Sequence, residues 1–262
     1  ASSARPIPGS AVNPRKLKSA LLMVLLLISH SAIGDGLRVS PLKVEFDKDS
    51  NSALVKISNG GGEKFSVQLD AMSWTQDATG QDQHAPTSDI VFFPRIFSIE
   101  PGDQRTVRVG YQGEPVLNRE KTYRLYAQEL PVEEPGVIEM KFAIRMSIPI
   151  FVYPESRNSA WDIDGVEWTD QGLSVRVENN GNTDISVGAI ELSGRNSTGA
   201  ELFTLNEHGW YVLAGRSRNF LLPWSGELCD QLASFDLAVT RGSETRIRQH
   251  GVADTDCPAS TR

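Results

Sequence analysis

The chain has 262 residues, with 26 basic and 33 acidic side chains and a formal net charge of −7 at pH 7. A chain this acidic is a poor candidate for a nucleic-acid-binding protein, because phosphate backbones are bound by clustered Lys and Arg. The length is sufficient for two domains of ordinary size.

Residues 1–34 have the pattern of a secretory signal peptide preceded by an N-terminal extension, which ends before Arg15. Arg15, Lys16 and Lys18 precede an unbroken apolar run over residues 20–28, and the small residues Ala32 and Gly34 stand before a plausible cleavage site. The run is shorter than the roughly 20 residues that span a bilayer. We therefore expect residues 1–34 to be removed on export, with no stable membrane insertion afterwards.

The rest of the chain is predicted to be all-β. Short runs of alternating apolar and polar residues recur, separated by Gly, Pro, Asn and Asp, as in immunoglobulin-like sandwiches. We predict one such domain over residues 35–154 and a second over 155–262, joined by a short linker that fixes the elbow. Residues 75–89 are predicted to form a polar loop, and residues 179–183, "NNGNT", a turn.

One predicted strand, residues 137–152 with the sequence "VIEMKFAIRMSIPIFV", is far longer than the usual five or six residues. Its even positions are apolar almost throughout, and its odd positions from 139 to 149 are mostly polar. We expect Ile148, Ile150 and Val152 to serve the chain's own core. The apolar residues before them form a surplus row that needs a separate partner.

Catalytic patterns are absent from the sequence, and we expect neither enzymatic activity nor a cofactor. The histidines are isolated, and no nucleophile elbow, phosphate loop or HExxH motif occurs. Cys229 and Cys257 lie near the C-terminus. In an exported protein they predict a disulfide, since they do not have the spacing of a metal site.

Several segments resemble the PapD-like periplasmic chaperones of the chaperone–usher pilus pathway. The matching stretches are "VSPLKVEF" (39–46), "FFPRIFSIEPGDQRTVRVG" (92–110), "LNREKTYRLYAQELP" (117–131) and "SIPIFVYP" (147–154). The resemblance covers the whole first domain, and "TYRLYAQELP" with "IRMSIPIFVYP" is similar to the archaic (sigma) branch. It implies two immunoglobulin-like domains set in an L, a periplasmic location, and pilus subunits and an outer-membrane usher as partners.

The resemblance also assigns a role to the long strand. Chaperones of this family lend such a strand to a subunit whose own sandwich lacks its last strand, so that alternate side chains fill the subunit's groove. It further implies that the free chaperone covers this strand, for example by self-association. The expected subunit-binding residues are Ile138, Met140, Phe142, Ile144 and Met146.

A cationic anchor for the subunit's terminal carboxylate is the second implied element. By motif match the anchor is Arg124, with Arg145 as a plausible partner and Lys43 as a further candidate, because a guanidinium can grip a carboxylate through two hydrogen bonds. Pro149 departs from the best-known branch, and we expect it to end the donor segment and begin the elbow. Glu120 matches an elbow residue whose usual arginine partner is replaced by Tyr153.

Two alternatives from other classes remain at this stage. A structural pilin or adhesin is disfavoured, because such a protein lacks its last strand, whereas this chain has a long one and a whole second domain. A secreted carbohydrate-binding sandwich is the other, with Trp210, Tyr211 and Trp224 as candidate sugar-stacking residues. Core packing is the more common role for such aromatic side chains.

Overall fold

In the computed structural model of the chain, residues 36–130 and 143–252 are described. Within these two ranges the protein consists of strands and one short 3-10 helix, Cys229–Gln231, and has no α-helix. The predicted all-β class with two tandem sandwiches is confirmed.

The first sandwich packs a four-stranded sheet against a six-stranded one. The first sheet has the order β1-β3-β8-β6, and the second has the order β2-β10-β9-β4-β5, with β7 also pairing with β4. The strands are β1 (Leu37–Ser40), β2 (Val44–Phe46), β3 (Ser52–Asn59), β4 (Phe65–Gln76), β5 (Asp82–Pro86), β6 (Ile90–Phe93), β7 (Ile96–Ile99), β8 (Gln104–Tyr111), β9 (Lys121–Leu130) and β10 (Arg145–Val152).

The second sandwich has its own core of buried aliphatic and aromatic side chains, among them Trp161, Val175 and Leu237. Its sheets have the orders β11-β12-β17, β13-β16 and β15-β14-β18-β19. The strands are β11 (Trp161–Thr169), β12 (Gly172–Asn179), β13 (Ile185–Ser186), β14 (Ala189–Arg195), β15 (Glu201–His208), β16 (Tyr211–Val212), β17 (Ser217–Pro223), β18 (Ser234–Arg241) and β19 (Glu244–Gly251).

Alternation in the sequence explains why these segments are strands. In β4, Phe65, Val67 and Leu69 are buried on one face while the residues between them are more exposed. The same period places Ile148, Ile150 and Val152 of β10 in the core of the first sandwich, as predicted. The exact domain limits at residues 154 and 155 stay a prediction.

Each sandwich contains the same asparagine-centred turn. The side-chain NH₂ of Asn59 donates to the backbone carbonyls of Glu63 and Ile99. Its side-chain oxygen accepts from the backbone N–H of Gly61. Asn179 does the same with the carbonyls of Thr183 and Val212 and the amide of Gly181. A buried asparagine at each turn thus satisfies backbone groups that no strand reaches.

The predicted polar loop over residues 75–89 is wrong in its central part. Strand β5 forms there and pairs with β4, with Gln76 opposite Asp82. The connecting turn is held by the Asp77 carboxylate, which accepts hydrogen bonds from the amides of Thr79 and Gln81. The strand is polar because it lies at the edge of the sheet and four of its five residues are exposed; Asp82, at its start, accepts from the indole N–H of Trp210 of the second sandwich at 2.8 Å.

We expect Asn179→Ala to lower the free energy of unfolding by about 2–4 kcal/mol, because three hydrogen bonds are lost and two buried carbonyls lose a donor. Chemical denaturation followed by tryptophan fluorescence measures the change. Asn180→Ala is the matched control, since the exposed Asn180 side chain bonds only the Glu178 carboxylate and should change stability little. Equal effects of the two substitutions would contradict the assigned role of the buried asparagine.

Candidate functional site

Strand β10 is paired along its whole length on one side only. On the β9 side every residue from Arg145 to Val152 has a partner. On the other side, among the described residues, only β2 pairs with it, and only opposite Ile150, Phe151 and Val152. The backbone of residues 144–149 on the β2 side therefore forms an edge without a described partner strand, which we call the open edge.

The hydrogen-bond pattern shows which groups face the open edge. The amide of Glu129 donates to the carbonyl of Ile144 at 2.8 Å, so even-numbered residues of β10 exchange hydrogen bonds with β9. Antiparallel pairs alternate between bonded and non-bonded, and the backbone groups of Arg145 and Ser147 therefore point outward. These are the groups with which an added strand would pair.

The apolar row of β10 leaves the chain's own core along this edge. Ile148 is 2% exposed, Met146 is half-buried against the core of the first sandwich, and Ile144 is 39% exposed. Ile144 and Met146 thus retain apolar surface beyond what the chain buries for itself. The other predicted subunit-binding residues, Ile138, Met140 and Phe142, lie outside the described residues.

Pro149 does not interrupt strand pairing, as a proline within a strand would be expected to do; its predicted place at the end of the donor segment and the start of the elbow stays a prediction. β10 runs through Pro149, which lies opposite Arg124 in register. The alternation makes this a non-bonded pair, so the missing N–H of proline removes nothing from the ladder with β9. Pro149 instead leaves the open edge without a donor at that point, next to the place where β2 begins to pair.

Arg124 lies in a box of aromatic rings contributed by both sandwiches. Its guanidinium carbon is 3.7 Å from the ring centre of Trp74, 5.4 Å from that of Trp210 and 5.7 Å from that of Tyr211. The residue is 5% exposed, and this burial lowers the pKa of the guanidinium. Stacking on aromatic faces stabilises the cation but gives it no hydrogen-bond acceptor.

Two donors in this box lack acceptors among the described residues. They are Nη2 of Arg124 and the indole nitrogen of Trp74, and both are buried. Buried donors without partners are rare in proteins, because each costs about 1–3 kcal/mol and more for a charged group. Because the guanidinium stacks on the indole ring, the two N–H donors lie close together. They suit an incoming group with two acceptor oxygens, such as a carboxylate.

Arg145 lies on the same face of the sheet as Arg124 and is exposed. Its guanidinium carbon is 3.9 Å from the ring centre of Tyr126. The ring centre of His84 lies 6.0 Å from that of Tyr126. Burial, opposed by Asp82 and assisted by Arg124 and Arg145, lowers the pKa of His84. His84 therefore adds no positive charge to this face at neutral pH.

Lys43 is already paired within the chain. Its Nζ is 2.9 Å from a carboxylate oxygen of Glu45 and 3.7 Å from one of Asp184, and it lies 4.4 Å from the ring centre of Phe151. Of the three predicted anchor residues, Lys43 is the one whose charge is compensated by described carboxylates. Its part in the anchor stays a prediction, as do those of Arg124 and Arg145.

Glu120 joins the two sandwiches. Its carboxylate accepts from the amide of Asp184 at 2.6 Å and from that of Ala214 at 3.3 Å, while its own amide donates to the carbonyl of Asn182. Burial, followed by the nearby Asp184 carboxylate, raises the pKa of Glu120 to about 8. Backbone amides of the second sandwich thus take the place of the arginine partner expected at the elbow.

Sequence reasoning missed the residues that connect the sandwiches around this site. Trp74, Phe151, Tyr153 and Leu213 form a buried cluster with Tyr211 at its side. The Gln76 amide donates to the carbonyl of Tyr211 at 2.8 Å and accepts from the amide of Leu213 at 2.9 Å. The aromatic residues were visible in the sequence, but only the fold brings "GWYVL" of the second sandwich to Arg124 of the first.

The remaining predicted features fall partly outside the description. Residues 1–34 lie outside it, and so does Cys257, while Cys229 is buried in the 3-10 helix; the disulfide stays a prediction. Trp224, a candidate sugar-stacking residue, packs on Trp168 and Phe203. Over the described ranges, no helix is long and apolar enough to cross a membrane, and no group of acidic, His and Cys side chains is arranged for a metal.

We expect Arg124→Met to leave the free energy of unfolding unchanged or to raise it by about 1 kcal/mol, because an unpaired buried charge is removed and methionine keeps contact with Trp74. Lys43→Met is the matched comparison and should lower it by about 1 kcal/mol, since Asp184 loses its cation. Urea denaturation at pH 7 measures both. If Arg124→Met lowered the free energy of unfolding more than Lys43→Met does, then Arg124, rather than Lys43, would be the cation that stabilises the fold.

The raised pKa of Glu120 predicts a pH dependence. An acid whose pKa rises on folding stabilises the fold fully below its unfolded value of 4.5, and this contribution disappears as pH rises towards 8. The slope is at most about 1.4 kcal/mol per pH unit. Wild type should therefore lose stability relative to Glu120→Gln between pH 5 and 8, with the exposed Glu114→Gln as control. Parallel curves for wild type and Glu120→Gln would contradict the assignment.

Comparison with known proteins identifies the first sandwich. Residues 36–158 match the family model described as pili and flagellar-assembly chaperone, PapD N-terminal domain. No curated protein sequence matches the chain.

Solved structures show the same fold over most of the chain. The CsuC–CsuE chaperone–tip adhesion subunit pre-assembly complex, from archaic chaperone–usher Csu pili of Acinetobacter baumannii, matches with TM-score 0.56 and 18% identity, over 82% of this chain and 97% of that one. The Pseudomonas aeruginosa CupB2 chaperone gives 0.51 and 16%, over 82% and 100%. The E. coli chaperone DraB gives 0.51 and 16%, over 83% and 99%. At these identities the likeness is one of fold, and the family model carries the assignment: residues 36–158 belong to the PapD N-terminal domain family of pili and flagellar-assembly chaperones, which are not enzymes.

Proposed function

We propose that this protein is a periplasmic chaperone that binds pilus subunits by donor-strand complementation and delivers them to an outer-membrane usher. Its ligand is a subunit sandwich that lacks its last strand and exposes an apolar groove. The chaperone supplies the missing strand from residues 138–146 and the start of β10. The subunit is held until another strand replaces the chaperone's.

The observation that carries this proposal is the partial pairing of β10. The strand is anchored in the chain's own core by Ile148, Ile150 and Val152, whereas its preceding part has an open edge and an apolar row that becomes exposed at Ile144. An added strand pairs with the outward amides, and alternate side chains enter its groove. Both requirements of strand addition are therefore met by one segment.

The energetics are adequate for such a complex. Burying one large apolar side chain contributes about 1.5–3 kcal/mol, so the five residues of the predicted row contribute roughly 8–15 kcal/mol before the costs of ordering and association. The backbone hydrogen bonds at the open edge fix the register of the added strand. They contribute little net binding free energy, because water already satisfies those groups in the unbound protein. The complex is thus tight and can still be displaced by strand exchange.

Arg124 is proposed to fix the register of the bound subunit. Arg124 lies opposite Pro149 in register, on β9, one strand in from the end of the open edge. A subunit strand whose terminal carboxylate reaches Arg124 runs parallel to β10 and ends where β2 begins. A shift of two residues would separate the carboxylate from the guanidinium, and this penalises incorrect registers.

Delivery to an usher requires a second surface that the bound subunit leaves uncovered. The outer face of the β1-β3-β8-β6 sheet carries Leu54, Val91 and Phe93, which are all exposed. Leu54 and Phe93 both lie opposite Arg108 in register, so they flank one position of β8. Exposed apolar groups concentrated on one face favour a protein contact there. We assign this face to the usher, and self-association of the free chaperone to the open edge.

The archaic branch is our choice because Arg124 follows that branch's motif.

The test is capture of a defined pilus subunit by the affinity-tagged full chain, with candidate subunits taken from any small secreted β-proteins that are encoded near its gene. We expect Ile144→Asp to reduce recovery at least about tenfold, because a charge replaces an apolar side chain that the groove must bury.

Ile247→Asp is the matched control. Ile247 is an equally apolar strand residue that is 68% exposed, but it lies on β19 of the second sandwich. This variant should capture the subunit as wild type does, and both variants should melt cooperatively. Undiminished capture by Ile144→Asp would refute the donor-strand role.

A further inference from the structure

The carboxylate site around Arg124 is closed in the unbound protein. Trp74 stacks on one side of the guanidinium at 3.7 Å, and Trp210 and Tyr211 of the second sandwich complete the enclosure. Nη2 is buried and has no partner among the described residues. A carboxylate from outside therefore reaches that nitrogen only after one of the three rings moves.

Two of the rings are held firmly. Trp74 is 1% exposed and packs edge-on against Phe151 and Tyr211. Tyr211 contacts the same cluster, and its backbone carbonyl accepts the Gln76 amide. Moving either ring would disrupt a buried cluster in which side chains are closely packed.

Trp210 is held much less firmly. It is 41% exposed, and its one described side-chain hydrogen bond runs from the indole N–H to Asp82 at 2.8 Å. When that bond breaks, Oδ1 of Asp82 keeps the Gln76 amide at 3.0 Å and the Arg218 guanidinium at 3.4 Å. The broken bond joins the indole N–H to the other oxygen, Oδ2, and it is solvent-exposed, so water can replace each partner. Opening at Trp210 therefore costs one exposed hydrogen bond.

We propose that Trp210 is the movable wall of the carboxylate site, with its hydrogen bond to Asp82 as the latch. The entering group is the α-carboxylate at the C-terminus of a subunit strand, and this inference rests on the proposed function of Arg124. The second sandwich thus contributes a positioning residue to a site whose cation belongs to the first. The free-energy cost of displacing the Trp210 ring is offset only by a ligand whose negative charge pairs with Arg124.

The test uses the full chain and a fluorescein-labelled decapeptide of alternating valine and threonine, with either a free C-terminal carboxylate or a C-terminal amide. Stopped-flow anisotropy gives the association rates. Trp210→Ala removes the wall, and Trp210→Phe keeps a ring but removes the latch. Ile247→Ala, at a strand residue of the second sandwich that is 68% exposed, is the control.

We expect the free-carboxylate peptide to associate about tenfold faster with Trp210→Ala, the size expected for loss of one hydrogen bond to a charged group. Trp210→Phe should give an intermediate rate. The amide peptide should associate with both Trp210 variants as it does with wild type, and Ile247→Ala should bind both peptides as wild type does. Unchanged or slower association of both Trp210 variants, with wild type still preferring the free carboxylate, would overturn the movable wall and leave the anchor intact. Equal binding of the two peptides to wild type, or no binding of either, would overturn the anchor itself and this inference with it.

Discussion

The fold depends on how strand β10 is divided. Its second half packs in the core of the first sandwich, and its first half keeps the open edge that we propose a pilus subunit covers. β10 is bound to β9 throughout, but β2 covers its other side only from Ile150 onward. The same residues decide how the apolar row is used, since Ile148 is enclosed by the first sandwich and Ile144 is not. A strand that is fixed at one end and uncovered at the other provides a rigid, pre-formed edge, which lowers the ordering cost of binding.

The elbow between the sandwiches serves this strand. Phe151 and Tyr153, at and just beyond the end of β10, pack in the buried cluster with Trp74 and Leu213. Glu120, at the start of β9, receives backbone amides of the second sandwich. The two strands of the proposed binding face, β9 and β10, are therefore both held at the same end, next to Arg124. The cation and the open edge keep a fixed relation because one interface holds both.

Much of this arrangement could be predicted from the sequence, and the failures have physical reasons. Alternation located β10 and its core residues, whereas the anchor role that motif resemblance gives Arg124 stays a prediction. The continuation of β10 through Pro149 could not be predicted, because it depends on whether the pair with β9 is hydrogen-bonded, which register decides and composition does not. β5 was missed because it is an exposed edge strand without an apolar face. The aromatic box was missed because Trp210 lies far along the chain from Arg124.

Amide hydrogen exchange of β10 tests the central claim most directly. The amides of Met146 and Ile148, which bond to β9, should exchange slowly in the unbound protein, whereas those of Arg145 and Ser147, which face the open edge, should exchange fast. Binding of a pilus subunit should slow exchange at Arg145 and Ser147 by at least about a hundredfold. Slow exchange at these two amides in the unbound protein, or no change on binding, would contradict the account.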